Sequence, residues 1–411
     1  MPKAIATILK NIAETFTGRF PKNYKNTVAH WGNFETKELH QANSDGTQKL
    51  LHLDIDLGNN CMLDCPHCFR RDDRFDLDLK QNFLKEGEIL DYLKEAKVLG
   101  LRSVKFLGRG EPFENRNFIG FLRQLKCLDI KASVFTKGHV IGSDNLAKKF
   151  NSHYGINNGK QLAAELKKLD TSILLGFNSF DYDMQKQFVD SGNLKLKNYP
   201  ELRDRALSLL VEAGLNNYCE REATRLALVA APIKPENIHE IFSIYKWGRR
   251  RNIYVVSCPS NLSGKGLDEA KRVRHFKDYI PQLIDLYSQI YIWNIRNGLQ
   301  TLEQFLTEDV SLYPGCHPCN QVAAGMYLTL SGKIFRCPGR CDNISTFIDD
   351  IRKVNSIKEV WMQSENYKRA EGIGFNYHCP ARDLPNENNL KTLPSNFYRE
   401  IRKNVLAAFQ G

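Results

Sequence analysis

The chain has 411 residues and a formal net charge of +11, with 42% hydrophobic residues and 11 cysteines. That length allows one large α/β domain with a smaller unit beside it. The sequence has no unbroken apolar run of the length a membrane helix needs, which excludes a helical membrane protein. An odd cysteine count, clustered at close spacings, points to metal ligation in a reducing compartment, and a cytoplasmic location is expected. The positive charge favours anionic partners. It is spread along the chain, with no basic stripe interleaved with aromatics, so nucleic acid is not an expected partner.

In chain order, residues 1–50 form an N-terminal extension. Ile5, Ile8, Leu9, Ile12 and Phe16 keep a helical rhythm within it. LHLDIDL (51–57) alternates and predicts a strand. QNFLKEGEILDYLKEAKVLG predicts a helix stopped near Gly100. Strands are then expected at 103–108, 130–136, 172–177, 224–232 and 252–257. Helices are expected between them and over 267–289. The run Arg249-Arg250-Arg251 is expected to end a helix facing solvent. Cys127, Cys219 and Cys258 stand alone and are expected in or near the core. Six strand–helix units predict parallel strands with right-handed crossovers over 51–300. The region 301–383 differs, with five cysteines and a hairpin pattern in GMYLTLSGKIFRC. Residues 384–411 end in FYREIRKNVLAAF, a predicted surface helix.

The first strand runs into NNCMLDCPHCFRRD. Cys61, Cys65 and Cys68 lie within eight positions, too close for three independent core residues. Three thiolates can clasp one metal centre; zinc would need a fourth ligand, whereas a cubane iron–sulfur cluster can leave one iron open. The spacing C-x3-C-x2-C followed by Phe69 resembles the signature of the radical S-adenosylmethionine (SAM) superfamily. The resemblance implies an α/β fold, a partial (β/α)6 barrel with chemistry at the C-terminal ends of its strands. It also implies a 4Fe–4S cluster on Cys61, Cys65 and Cys68 whose free iron chelates SAM.

Later strand ends carry further residues that the resemblance assigns to the SAM pocket. Gly108, Arg109, Gly110, Glu111 and Pro112 resemble the GGEP motif that meets the amino group of SAM, with Arg109 in place of a glycine. Thr136-Lys137-Gly138 stands where relatives often carry Thr-Asn-Gly, and Lys137 is the departure. Asn178 and Ser179, and then Asn237, stand where relatives place polar contacts to the cofactor. Helix capping is the rival reading for both places.

Cys319, Gly332 and Cys337 form C-x12-G-x4-C, which resembles the start of the SPASM motif. With Cys316, Cys341 and Cys379, the count suits its shortened Twitch form with one auxiliary 4Fe–4S cluster. A zinc ribbon is the alternative for this region alone. The implied function is reductive cleavage of SAM and hydrogen abstraction from a small, polar, anionic metabolite. Peptide modification comes second. A zinc- or cluster-bearing binding protein is the third reading. A flavodoxin- or ferredoxin-type electron donor is the implied protein partner.

Overall fold

The computed structural model describes residues 6–25, 32, 34–69, 83–107, 109–192, 196–315, 324–340, 347–363 and 393–410. All six expected strands form: β1 (His52–Ile55), β2 (Ser103–Phe106), β3 (Lys131–Thr136), β4 (Ser172–Gly176), β5 (Leu226–Ala230) and β6 (Tyr254–Ser257). Each pairs in parallel with the next. The crossovers carry α1 (Glu86–Val98), α2 (Phe118–Cys127), α3 (Gly159–Lys168), α4 (Tyr199–Glu212) and α5 (Ile238–Arg250). The sheet then gains β7 (Gly325–Leu328), β8 (Lys333–Phe335) and β9 (Phe347–Asp350), in the order β6-β5-β4-β3-β2-β1-β7-β8-β9. β7 pairs in parallel with β1, and β7–β8–β9 are antiparallel. The hairpin read from GMYLTLSGKIFRC is therefore continuous with the barrel sheet.

Strand alternation divides the side chains cleanly. Leu53, Ile55, Val104, Phe106, Val134, Ile173, Leu175, Leu226, Leu228 and Val255 join the main core beneath the helices. Each such burial contributes about 1.5–3 kcal/mol. The other face, which lines the lumen, carries a separate cluster of Leu174, Ala227 and Tyr254. It also carries Asp54, Lys105 and Ser133, which sit opposite one another in register.

Four expectations change. The N-terminal rhythm yields only one helical turn, Thr7–Lys10, although Leu9, Ile12 and Phe16 are buried. The backbone beyond it docks on the end of α5, where the N–H groups of Thr15 and Phe16 donate to the Arg250 carbonyl. The arginine run ends α5 as expected, but it faces this segment rather than solvent. Arg249 is buried, Arg250 donates to the carbonyl of Phe16, and Arg251 Nε donates to Ile12. A non-helical backbone has unpaired carbonyls, and the guanidinium groups satisfy them. Thirdly, the helix expected over 267–289 breaks into Gly266–Val273 and α6 (Tyr279–Asn297). Pro281 has no N–H to donate and would clash with a preceding turn, so the helix restarts just before it. Finally, Cys258 is buried, but Cys127 and Cys219 are exposed. The expected C-terminal helix forms as α7 (Phe397–Ala407) and buries Phe397, Ile401 and Val405.

Among the described residues no helix is long and apolar enough to cross a membrane.

Candidate active site

The cysteine loop leaves the C-terminal end of β1, and Cys61, Cys65 and Cys68 are all half-buried with free thiols. Burial, more than any neighbouring charge, pushes the Cys65 thiol up to about 11 and the Cys61 thiol up further still. In the metal-free chain both are therefore thiols, and a bound cation would drive them to thiolates. His67, between Cys65 and Cys68 in the chain, is buried and held neutral by desolvation.

Two segments clamp this loop. The first is the turn after β2. Arg109 N donates to Asp56 Oδ1 (3.1 Å), and Glu111 N donates to the Asn60 carbonyl (2.7 Å). Asn115 Nδ2 donates to the Leu57 carbonyl (2.9 Å). Gly110 has φ +83°, and a Cβ there would lie 2.8 Å from the Asn60 oxygen. Only glycine fits both that backbone and that approach. Buried Glu114 accepts from Met62 N, inside the cysteine loop, at 2.8 Å. The same oxygen lies 2.8 Å from Nε2 of the fully buried His139. The second clamp is the loop after β6. Lys265 N donates to the Cys68 carbonyl, Ser263 Oγ to the Phe69 carbonyl (3.0 Å), and Lys265 Nζ to Asp64 Oδ1 (2.8 Å).

The sequence-expected residues separate into two groups. Glu111 and Thr136 meet: Thr136 Oγ1 donates to Glu111 Oε1 at 2.6 Å, and Lys137 N to Oε2 at 2.9 Å. Burial raises the Glu111 carboxyl above its ordinary range despite these bonds. Lys137 runs across Gly176, where a Cβ would lie 2.8 Å from its Cδ, and its charge reaches Cys65. Ser179 and Asn237 are fully buried and bonded within the protein. Ser179 Oγ is 2.9 Å from both oxygens of Glu240. Asn237 Oδ1 accepts from Lys234 N, and its Nδ2 donates to the Asn178 carbonyl. Gly108, Cys316, Cys319, Cys341 and Cys379 lie outside the described residues. Of the second cysteine group only Cys337 is described, half-buried, with Gly339 N 3.4 Å from its sulfur.

Sequence reading missed Glu114, His139, Ser263 and Lys265. No motif marks them. They follow the recognised motifs by a few residues, or sit on a loop far along the chain. A cavity of about 850 Å³ opens beside the loop and is lined in part by Asn59, Asn60, Glu111, Glu114 and Asn115. Among the described residues no three His, Cys, Asp or Glu side chains converge on a single-ion site. Cys61, Cys65 and Cys68 supply the three-thiol donor set that a cubane cluster with one open iron takes.

Parallel strands with a three-thiol loop at their C-terminal ends define the class, an α/β fold, and the candidate site lies at the end where such barrels carry their chemistry. Residues 55–247, just under half the chain, match the model of the Radical SAM superfamily, so the chain carries a radical SAM domain and is an enzyme. That domain implies a 4Fe–4S cluster and SAM. Two solved structures of anSMEcpe share the fold. The first, with bound AdoMet, is 15% identical, with 87% of this chain and 96% of that chain covered and a TM-score of 0.54. The second, with AdoMet and a Kp18Cys peptide, is 16% identical over the same shares, at 0.52. Streptococcus suis SuiB bound to S-adenosylmethionine aligns at 19% identity, 78% of this chain, 67% of its own length and a TM-score of 0.45. No curated protein matches significantly.

Proposed function

We propose that this enzyme holds a 4Fe–4S cluster on Cys61, Cys65 and Cys68, binds SAM beside it, and abstracts a hydrogen atom from a small polar substrate in the barrel mouth. The observation that carries the reading is the double clamp on the cysteine loop by the β2 turn and the β6 loop. Three thiols on a loop must be held still to bind one cluster, and these bonds hold them. When bound, cluster and cofactor together supply a carbon radical able to attack unactivated C–H bonds.

The chain's own residues do the rest. Gly110 brings backbone against the cysteine loop, and Glu111 presents a buried carboxylate, already oriented by Thr136 and Lys137 N, for the SAM ammonium. Lys137 Nζ supplies a cation near Cys65 for the SAM carboxylate. Phe69 closes the cysteine loop where its carbonyl accepts from Ser263. Ser179 and Asn237 shape the far wall through Glu240 and Asn178. Apolar Phe135, Val229 and Val256 limit water around the reacting centre. At most four of Cys316, Cys319, Cys337, Cys341 and Cys379 would hold one auxiliary 4Fe–4S cluster of the Twitch type, and a flavodoxin- or ferredoxin-type protein would deliver the electron.

Anaerobic reconstitution tests this. The expected result is about eight irons per chain, as two cubanes require, and 5′-deoxyadenosine on reduction with SAM. Tightly bound zinc without SAM cleavage would overturn it. Turnover of a peptide, with none of small metabolites, would replace the substrate reading by peptide modification.

A further inference from the structure

Exposure of the lumen wall is graded along the strands. Midway along the strands Asp54, Ser133, Leu174, Ala227 and Tyr254 are buried, which floors the lumen. Toward the C-terminal ends Phe135, Lys137, Val229 and Val256 are only half-buried, whereas their neighbours on the helix side are buried; Lys105, level with Ser133, is half-buried too. The lumen is therefore a blind well opening at the mouth where the cysteine loop sits.

The charges in this well are stratified. Asp54 and Asp56 are 1% and 3% exposed. Asp56 lies behind Tyr327, whose hydroxyl donates to it at 2.8 Å. Asp54 sits opposite Lys105 in register, with 3.1 Å between Oδ1 and Nζ. The Lys105 side chain is 27% exposed while that of Asp54 is 1% exposed. A ligand entering the well thus meets the ammonium groups of Lys137 and Lys105, while the carboxylates of Asp54 and Asp56 are covered. Lys137 stands at the mouth near Cys65; Lys105 is level with Ser133, and so lies roughly 13 Å lower along the strand direction. Between the level of Lys105 and the mouth lie the apolar Phe135, Val229 and Val256.

We propose that Lys105, held by Asp54, is the anchor for an oxyanion of the substrate, and that the substrate is a small carboxylate or phosphate with an apolar body. This rests on the reading above that the substrate enters the barrel mouth. The Asp54 carboxylate fixes the ammonium, as a positioning residue. The half-exposed apolar wall takes the body of the molecule. The anchor below the mouth fixes which carbon reaches the cluster end. An ammonium recognises carboxylate and phosphate alike as a point charge.

The test uses benzoate, phenyl phosphate and benzylamine as probes on the reconstituted full chain, read by calorimetry. Benzoate or phenyl phosphate should bind at least tenfold more tightly than benzylamine. The better of the two identifies a carboxylate or a phosphate substrate. Lys105→Met should cost that probe at least tenfold in affinity, and Asp54→Asn should weaken it less. Because Lys105→Met strands a buried carboxylate, the double variant D54N/K105M is measured too; it removes both charges and should lose the anion as fully. Preference for benzylamine, equal binding of all three probes, or undiminished anion affinity in both Lys105 variants would overturn the proposal. SAM cleavage by the wild-type protein is followed on the same samples. Its absence would defeat the radical reading while leaving the anion anchor to be judged by the probes. Intact cleavage with no anion preference would defeat the anchor alone.

Discussion

The mouth of the barrel has two sides, and they are built differently. On the β1–β2 side, polar groups cross between loops: Arg109 to Asp56, Glu111 to Asn60, Met62 to Glu114, Asn115 to Leu57. On the β4–β5 side, buried Ser179, Asn178 and Asn237 and half-buried Glu240 bond among themselves. The first side fixes a mobile type of structure, a long loop bearing thiols, by tying it to a rigid strand end. The second side is packing around a preformed wall. Motif residues on the first side are thus expected to move cofactor properties, and those on the second to move stability.

The largest expected effect tests the first side directly. Cys65→Ala should drop 5′-deoxyadenosine formation to background, with loss of iron and sulfide corresponding to one cluster. Full activity in that variant would end the comparison. Next comes Gly110→Ala. The left-handed backbone and the contact with Asn60 should cost about 1–3 kcal/mol of stability. The displaced cysteine loop should slow SAM cleavage roughly a hundredfold. Thermal melting and cleavage rate together read it, and an unchanged rate would show that the turn does not set the loop. Glu114→Ala removes the acceptor shared by Met62 and His139. Cluster retention on dilution should fall by about tenfold, the scale of lost outer supports at metal sites, and the cluster's electron paramagnetic resonance signal should broaden. Smallest is Ser179→Ala, which takes from Glu240 its hydroxyl partner. A loss of about 1–2 kcal/mol in denaturant unfolding is expected, with the KM for SAM within about twofold. A raised KM at unchanged stability would move Ser179 into the cofactor pocket and break the contrast.

The barrel strands were legible because their signal is local. Apolar alternation in LHLDIDL and TRLALVAAP needs no knowledge of the rest of the chain. The cysteine spacing and Gly110-Glu111-Pro112 were legible for the same reason, being compact motifs after a strand. Glu114, His139 and Lys265 were not. Their roles depend on which loop faces which, and a lone glutamate, histidine or lysine carries no spacing to betray that. The polar stripe His52-Asp54-Asp56 misleads in its own way. Alternation on an antiparallel sheet puts such residues in water, whereas here the closed well makes them buried charges. The failed N-terminal helix has the same origin. Its apolar rhythm marked the buried residues, but Arg250 and Arg251 offered its carbonyls better partners than a helical turn would.

One feature of the sheet bears on how the protein is made. β1, which launches the cysteine loop, lies between β2 and β7, and β7 comes from the last quarter of the chain. During synthesis the strand emerges early yet keeps a bare edge until residues near Gly325 leave the ribosome. Until then its unpaired N–H and C=O groups can recruit stray strands. Shortened chains ending before Gly325 are therefore expected to aggregate.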